Sequence, residues 1–306
     1  MLIAGLDIGS NSCRYTLVHW QKNQGLRVVE QDLATTRLGK GMAGGMLLPE
    51  AIERTVEAIA DFVERARQKG AEKILGVATA AVREAANGQE LLDRLVPLSA
   101  EITVIDGQRE GWYSWLGAVQ GLGLEKGDGV MVIDSGGGST EFSWLEAGQL
   151  KAISLKIGAV RATEEKWSLA EIDDFLAKGI ASIPVKPEKV ILVGGTATTL
   201  GAMELQLEKY QPSLVHGLKL SAQQVAAWAR RLRELNLEER KQLPGLQPAR
   251  ADIIPAGASI LAAATHQLGT EQVWLSETDL LYGQIYIYIQ EQLKYDEKGP
   301  VKWDFS

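Results

Sequence analysis

Two short stretches of the chain combine glycine, serine and an acidic residue in a pattern suited to holding phosphate. Ile3-Ala4-Gly5-Leu6-Asp7-Ile8-Gly9-Ser10-Asn11-Ser12-Cys13-Arg14 lines up with Val130-Met131-Val132-Ile133-Asp134-Ser135-Gly136-Gly137-Gly138-Ser139-Thr140-Glu141 at a constant offset of 127 residues. Both read as an apolar strand followed by Asp, any residue, Gly, two more residues and Ser. A turn rich in Gly, Ser and Asn lets successive backbone N–H groups point into one concavity, which suits phosphate oxygens. A single match is usually an ordinary hairpin turn. Two in register, each preceded by an aspartate, are a far more specific signal. The candidate phosphate-binding residues are Gly9, Ser10, Asn11 and Ser12 in the first turn and Gly136, Gly137, Gly138, Ser139 and Thr140 in the second. A third element, Gly194-Gly195-Thr196-Ala197-Thr198-Thr199, opens a helix whose N–H groups attract anions, which adds Gly195 and Thr196. The same residues also suit a tight strand–helix turn with an N-cap threonine.

Folding each hairpin about its turn centre sets Asp7 across from Arg14 and Asp134 across from Glu141. The first pair neutralises itself, as a structural salt bridge or as part of a site. The second sets two carboxylates with Cβ atoms about 5 Å apart, which repel unless one takes a proton or a cation sits beside them. Magnesium meets that need economically, because it keeps several waters and requires only one or two carboxylates plus substrate phosphate. Asp134 and Glu141 are therefore the candidate metal residues. The two-residue period also places Ser12 with Arg14, and Ser139 with Glu141, on matching strand faces.

The elements that must position these residues alternate between strand-like and helix-like segments, the signature of an α/β fold. Strands are expected at 2–8, 13–20, 73–78, 102–106, 130–134, 140–146 and 190–193. Helices are expected at 50–69, from 79–86, and at 108–119, 169–179, 196–206, 221–235, 255–267 and 279–295, with a polar, loose tail after Lys294. For 279–295 the alternation from Ile285 to Ile289 also suits a strand, but the length favours a helix. Ile74–Thr79 and Val190–Thr196 form a second repeated pair, each a strand entering a helix through small residues. Gly117–Gly129 holds five glycines and is the candidate junction. The expected domains are 1–124 and 125–306, two similar halves facing each other across a cleft, with the last helix free to pack back on the first.

The 306 residues carry 32 Lys+Arg against 39 Asp+Glu, a net charge of −7, which disfavours a duplex nucleic-acid partner and requires any positive potential to be local. Hydrophobic residues at 45% and charged residues at 23% exclude a disordered chain. A lone cysteine, Cys13, fits a reducing compartment, and three histidines argue against a zinc finger. The N-terminus has no basic segment of a secretory signal, and the longest small-apolar stretch, Ile253–Thr265, contains Pro255 and is too short to span a membrane. A cytoplasmic protein without a membrane partner is expected.

These residues resemble the exopolyphosphatase / guanosine pentaphosphate phosphatase (Ppx/GppA) family of the actin-like, sugar-kinase and heat-shock-protein ATPase superfamily. The resemblance runs almost end to end. It takes in Asp7–Arg14, Ala78-Thr79-Ala80-Ala81-Val82-Arg83-Glu84-Ala85-Ala86-Asn87, Val132–Glu141, Ile157-Gly158-Ala159-Val160-Arg161-Ala162-Thr163-Glu164, Gly194–Leu200, Val215-His216-Gly217 and Gly245-Leu246-Gln247-Pro248-Ala249-Arg250-Ala251-Asp252. It implies two ribonuclease-H-like (actin-like ATPase) domains with an interdomain cleft. The implied activity is Mg²⁺-dependent release of terminal phosphate from polyphosphate or of the 5′ γ-phosphate from guanosine pentaphosphate, with the choice between the two open. The family's general base falls on Glu110 in Ile105-Asp106-Gly107-Gln108-Arg109-Glu110-Gly111-Trp112, although the acidic residue expected before it is Arg109. That cation would lower the pKa of Glu110 if the side chains approach.

Arg83 and Arg14 are the candidates for clamping the transferred phosphate, since guanidinium meets phosphate bidentately. Family members are often dimers, so a homodimer is one expectation. Many also carry further C-terminal helical domains, so a chain ending after the two-domain unit implies a shorter groove and a weaker grip on long polyphosphate. A kinase-like transfer from ATP and a non-catalytic sensor of nucleotide or polyphosphate are the competing readings.

Overall fold

Each of the two aspartate strands lies within a six-stranded sheet. In the computed structural model, which describes residues 1–22, 25–124, 127–292 and 303–304, the first half runs β1 (Leu2–Ile8), β2 (Cys13–Gln21), β3 (Gly25–Ala34), α1 (Pro49–Gln68), β4 (Lys73–Ala78), α2 (Ala80–Glu84), α3 (Gly88–Leu95), β5 (Glu101–Val104) and α4 (Gly107–Gly121). The second runs β6 (Val130–Ser135), β7 (Thr140–Glu146), β8 (Gln149–Leu155), α5 (Ala159–Glu164), α6 (Leu169–Ile180), β9 (Lys189–Val193), α7 (Gly195–Glu204), α8 (Pro212–Val215), β10 (Lys219–Ser221), α9 (Ala222–Glu234), α10 (Leu237–Lys241), α11 (Ile254–Gln267), β11 (Gln272–Leu275) and α12 (Leu280–Gln292). Trp303–Asp304 forms β12; the remaining tail residues beyond Lys294 lie outside the described residues.

The sheet orders are β12-β3-β2-β1-β4-β5 and β10-β11-β9-β6-β7-β8. Matching β1 to β6 matches β3-β2-β1-β4-β5 to β8-β7-β6-β9-β11, while β12 and β10 extend opposite edges of the shared pattern. β1 and β6 are each antiparallel to the next strand of their hairpin and parallel to the strand entering the following helix element, β4 or β9. The internal repeat is thus a repeat of topology, and the fold class is the α/β, actin-like arrangement expected. The hairpin registers also agree with expectation: Asp7 faces Arg14 and Asp134 faces Glu141. The third strands, β3 and β8, expose much of one face and carry no sustained apolar alternation, so the sequence offers little to mark them.

Both sheets are covered on both faces, which is why β1, β6 and β9 are nearly continuous apolar runs. One face of the first sheet packs on α1 and α3 through Leu6, Ile8, Ile52, Ile59 and Leu91. Its other face receives α12, where Leu281, Ile285 and Ile289 join Ile3 and Val18. Gly5 makes the approach possible, since a Cβ there would fall 2.9 Å from Ile285 Cδ1. In the second sheet α11 and its neighbours cover one face, and α4 lies on the other against β6, β7 and β8. The glycines of 117–129 are therefore partly packing positions. Gly117 and Gly121 lie inside α4 against Asp279 and Thr278, and Gly127 lies against Trp115.

Candidate active site

The two turns meet across a cleft with about 700 Å³ of empty space, between the hairpins and beneath the start of α7. In each turn the glycine amide closes onto the serine carbonyl, Gly9 to Ser12 at 3.1 Å and Gly136 to Ser139 at 3.0 Å. Flanking segments take the outer carbonyls. Arg37 and Gly39 donate to Asn11 and Ser10, while Ala159, Val160 and Arg161 donate to Gly136 and Gly137. Among the described residues, the amides of Ser10, Asn11, Gly137 and Gly138 have no backbone partner, the condition for an anion-receiving nest. The turns are in contact: a Cβ on Gly137 would lie 3.0 Å from Ser10 Cβ. At both sides ion pairs cross the cleft, Arg161 to Glu84 at 2.7 Å and Arg37 to Asp252 at 2.8 Å.

Glu110 enters this cleft from the first turns of α4. Asp106 caps that helix, accepting from the Arg109 amide at 2.8 Å. Gly107 and Gly111 lay the helix directly on β7 and β8: a Cβ on Gly107 would come within 2.3 Å of Ser154 Cβ, and one on Gly111 within 2.9 Å of Ala152 Cβ. Glu110 is buried, 3.2 Å from the Arg83 guanidinium, which also donates to the Ile105 carbonyl at 2.7 Å. Burial holds the Glu110 carboxyl well above its ordinary range, Glu141 and Asp134 push the same way, and Arg83 opposes them. Arg109 does not pull it down. Its exposed guanidinium turns back to the Tyr113 hydroxyl at 3.0 Å, over the Tyr113 ring.

Asp134 and Glu141 are likewise raised, first by burial and then by neighbouring carboxylates. Ser114 donates to Asp134 Oδ2, and Ser154 donates to Glu141 Oε1 at 2.6 Å. Glu141 Oε2 is buried with no hydrogen-bond partner, an orphan acceptor that a cation or proton would satisfy. Among the described residues no cluster of three or more His, Cys, Asp or Glu could hold a metal by itself. The acids thus fit an ion held by one or two carboxylates together with water and phosphate, not an all-protein cage.

A sequence model of the Ppx/GppA phosphatase family matches residues 17–291. The chain belongs to this family. It is 30% identical to exopolyphosphatase 2 of Mycobacterium tuberculosis over 92% of this chain and 96% of that protein. It is 28% identical to guanosine-5′-triphosphate,3′-diphosphate pyrophosphatase of Photobacterium profundum over 96% of this chain but only 61% of that one. The crystal structure of the Aquifex aeolicus Ppx/GppA family member superposes with a TM-score of 0.79 at 29% identity, covering 97% of this chain and 99% of that one.

Within this Ppx/GppA chain the cleft is lined by Gly9, Ser10, Asn11, Ser12, Arg14, Glu110, Asp134, Gly136, Gly137, Gly138, Ser139, Gly195 and Thr196, all expected from the sequence, and by Asp7, whose pairing with Arg14 suits either a structural salt bridge or a site. Three expected residues do not line it. Thr140 is fully buried, and its hydroxyl donates to the Ile157 carbonyl at 2.7 Å, so it braces the turn from behind. Glu141 and Arg83 stand behind Glu110, in contact with the site through neighbours. Arg14 is more constrained than its hairpin partner implied. Besides Asp7 at 2.7 Å it pairs with Asp279, 265 residues further along, so two acids compete with any phosphate for it.

Eight further described residues that line the cleft fall outside the sequence-based site, among them Leu280 and Arg250. Leu280 belongs to the α12 entry, and Arg250 lies against Gly195, where a Cβ would sit 2.0 Å from its Nη1. Among the described residues no acid pairs with Arg250, and shielding from water together with Arg14 lowers its pKa to about 10. The sequence held one signal for it, its place in the Gly245–Asp252 motif. Among the described residues no helix is long and apolar enough to cross a membrane.

Proposed function

We propose that this Ppx/GppA phosphatase is a Mg²⁺-dependent hydrolase that releases terminal phosphate from inorganic polyphosphate, the 5′ γ-phosphate of guanosine pentaphosphate, or both. The observation that carries the reading is the buried Glu110 carboxylate, held by Arg83 and facing two turns of unpartnered amides. The reaction is in-line attack of water on the terminal phosphoryl group. Glu110 orients the water and takes its proton, and its raised pKa makes it a stronger base than a solvent-exposed glutamate. The turn amides, Arg250 and Arg14 position the phosphate chain and stabilise the charge that spreads over the transferred group, where phosphoryl-transfer catalysis mostly resides. Arg83 acts on Glu110, fixing the carboxylate that accepts the proton.

The acids around the cleft outnumber its guanidiniums, so the site needs added positive charge before a polyanion enters. Magnesium at Asp134, with Glu141 beside it, would supply that charge and offset the phosphate oxygens.

Glu110→Gln tests the proposal. The amide keeps the size of the side chain and loses the base, so phosphate release should fall about 100- to 10,000-fold, while binding of polyphosphate or guanosine pentaphosphate persists. Unchanged release would remove Glu110 from the mechanism. Transfer of phosphate from ATP to a hydroxyl acceptor, or binding of substrate with no turnover by the wild type, would instead support the kinase-like or sensor reading. Release from the two substrates, measured side by side with and without Mg²⁺, decides between them.

A further inference from the structure

Helix α4 brings a second side chain to the carboxylates, one turn beyond Glu110. Residues four apart share a helix face, and Ser114, fully buried, donates its hydroxyl to Asp134 Oδ2. The other acid of the facing pair has its own serine from a different element: Ser154 on β8 donates to Glu141 Oε1. Each carboxylate is therefore pinned by one oxygen and left with the other. For Glu141 that is the orphan Oε2. For Asp134 it is Oδ1, which lies against Gly194, a cleft residue whose Cβ would come within 2.9 Å of it. The corresponding aspartate of the first half has no such serine, because Asp7 is met by Arg14 instead.

We infer that Ser114 is a positioning residue for the cation-facing oxygen of Asp134. By holding Oδ2, it fixes the carboxylate rotamer with Oδ1 presented to the cleft. Because it sits on the same rigid helix as Glu110, it also fixes the separation between the acid that faces the cation and the base that takes the proton from water. Gly107 and Gly111 are what let α4 lie close enough to the sheet for Ser114 to reach. Outer-shell donors of this kind tune metal affinity by orienting the ligand. The inference rests on the proposal that Asp134 faces magnesium.

The experiment uses the full chain and Mn²⁺ alone, titrated by electron paramagnetic resonance of the free ion, with Mg²⁺ as competitor. Ser114→Ala should weaken Mn²⁺ about 10- to 100-fold, and Ser114→Thr, which keeps the hydroxyl, should restore most of that affinity. Alanine suits a helix interior better than serine, so the Ala variant is expected to fold, and thermal unfolding in a chelator checks it. Ser114→Ala binding Mn²⁺ within twofold of the wild type would overturn the assignment. So would equal losses in the Ala and Thr variants, which would mark a packing effect. The wider reading fails differently: Asp134→Asn would then leave Mn²⁺ affinity unchanged, and the role given to Ser114 would fall with it.

Discussion

Replacing Gly117 by alanine sets two well-measured effects against each other. In a free helix the change gains about 1 kcal/mol in propensity. In this protein the new Cβ would stand 2.1 Å from the Asp279 carbonyl oxygen, 2.8 Å from its carbon and 3.1 Å from its Cα, against a floor of 3.0 Å for real Cβ contacts. At least 0.9 Å must be found, and the obstacle is backbone, which cannot swing aside as a side chain can. A Cβ on Gly283 of α12 would likewise fall 1.9 Å from the Tyr113 carbonyl oxygen, so the two helices have no slack on either side. Overpacking of this kind costs about 1–3 kcal/mol, with the upper end appropriate here, and the net expectation is a loss of about 2 kcal/mol. Function should suffer more. Asp279 holds Arg14, and Glu110 lies two turns up α4, so both sides of the cleft move when the contact opens. A shift of about 1 Å in such groups costs on the order of 100-fold in rate. Urea-unfolding midpoints and phosphate release from a short polyphosphate measure the two effects. A Gly117→Ala variant that is more stable than wild type and keeps its rate would show that helix propensity wins, and that the α4–α12 seat is looser than described.

Asp134→Asn should stabilise the metal-free protein at pH 8 and change little near pH 4. Burial pushes Asp134 up to about 7, so its stabilising protonated form is complete below the usual carboxylate range and is lost as pH rises through 7. Thermal unfolding against pH in a chelator reads this, with an expected gain of at least about 1 kcal/mol at pH 8, and a destabilised Asn variant there would refute it. Arg250→Met should raise KM for the phosphate substrate by about 10- to 100-fold, the worth of one or two hydrogen bonds to a charged group. The fall in kcat should be smaller, and steady-state kinetics with an unchanged KM would place Arg250 outside the phosphate path.

The hairpins could be read because the information was local: six residues lie between Asp7 and Arg14, and the same number between Asp134 and Glu141, so turn geometry alone fixes what faces what. Glu110 became visible only through the family resemblance, since a glutamate early in a helix otherwise reads as solvated. The pairing of Asp279 with Arg14 and the donation from Ser114 to Asp134 depend on how α4 and α12 are laid across the sheets, and no spacing encodes that. Thr140 illustrates the opposite failure. Its place in the glycine turn suggested phosphate, but the turn spends that hydroxyl on the Ile157 carbonyl. α12 was ambiguous because it is wedged between α4 and β1 and is apolar on nearly every side, which erases the helical stripe.

The placement of α4 and α12 has a consequence for synthesis on the ribosome. The strands β1 to β5 emerge long before α12, yet one face of their sheet awaits its Leu281, Ile285 and Ile289. The early half must therefore wait, with apolar residues bare, until α12 has been made. Nascent chains arrested shortly before residue 280 should bind holdase chaperones and be cut readily by protease, and extending them past 292 should abolish both.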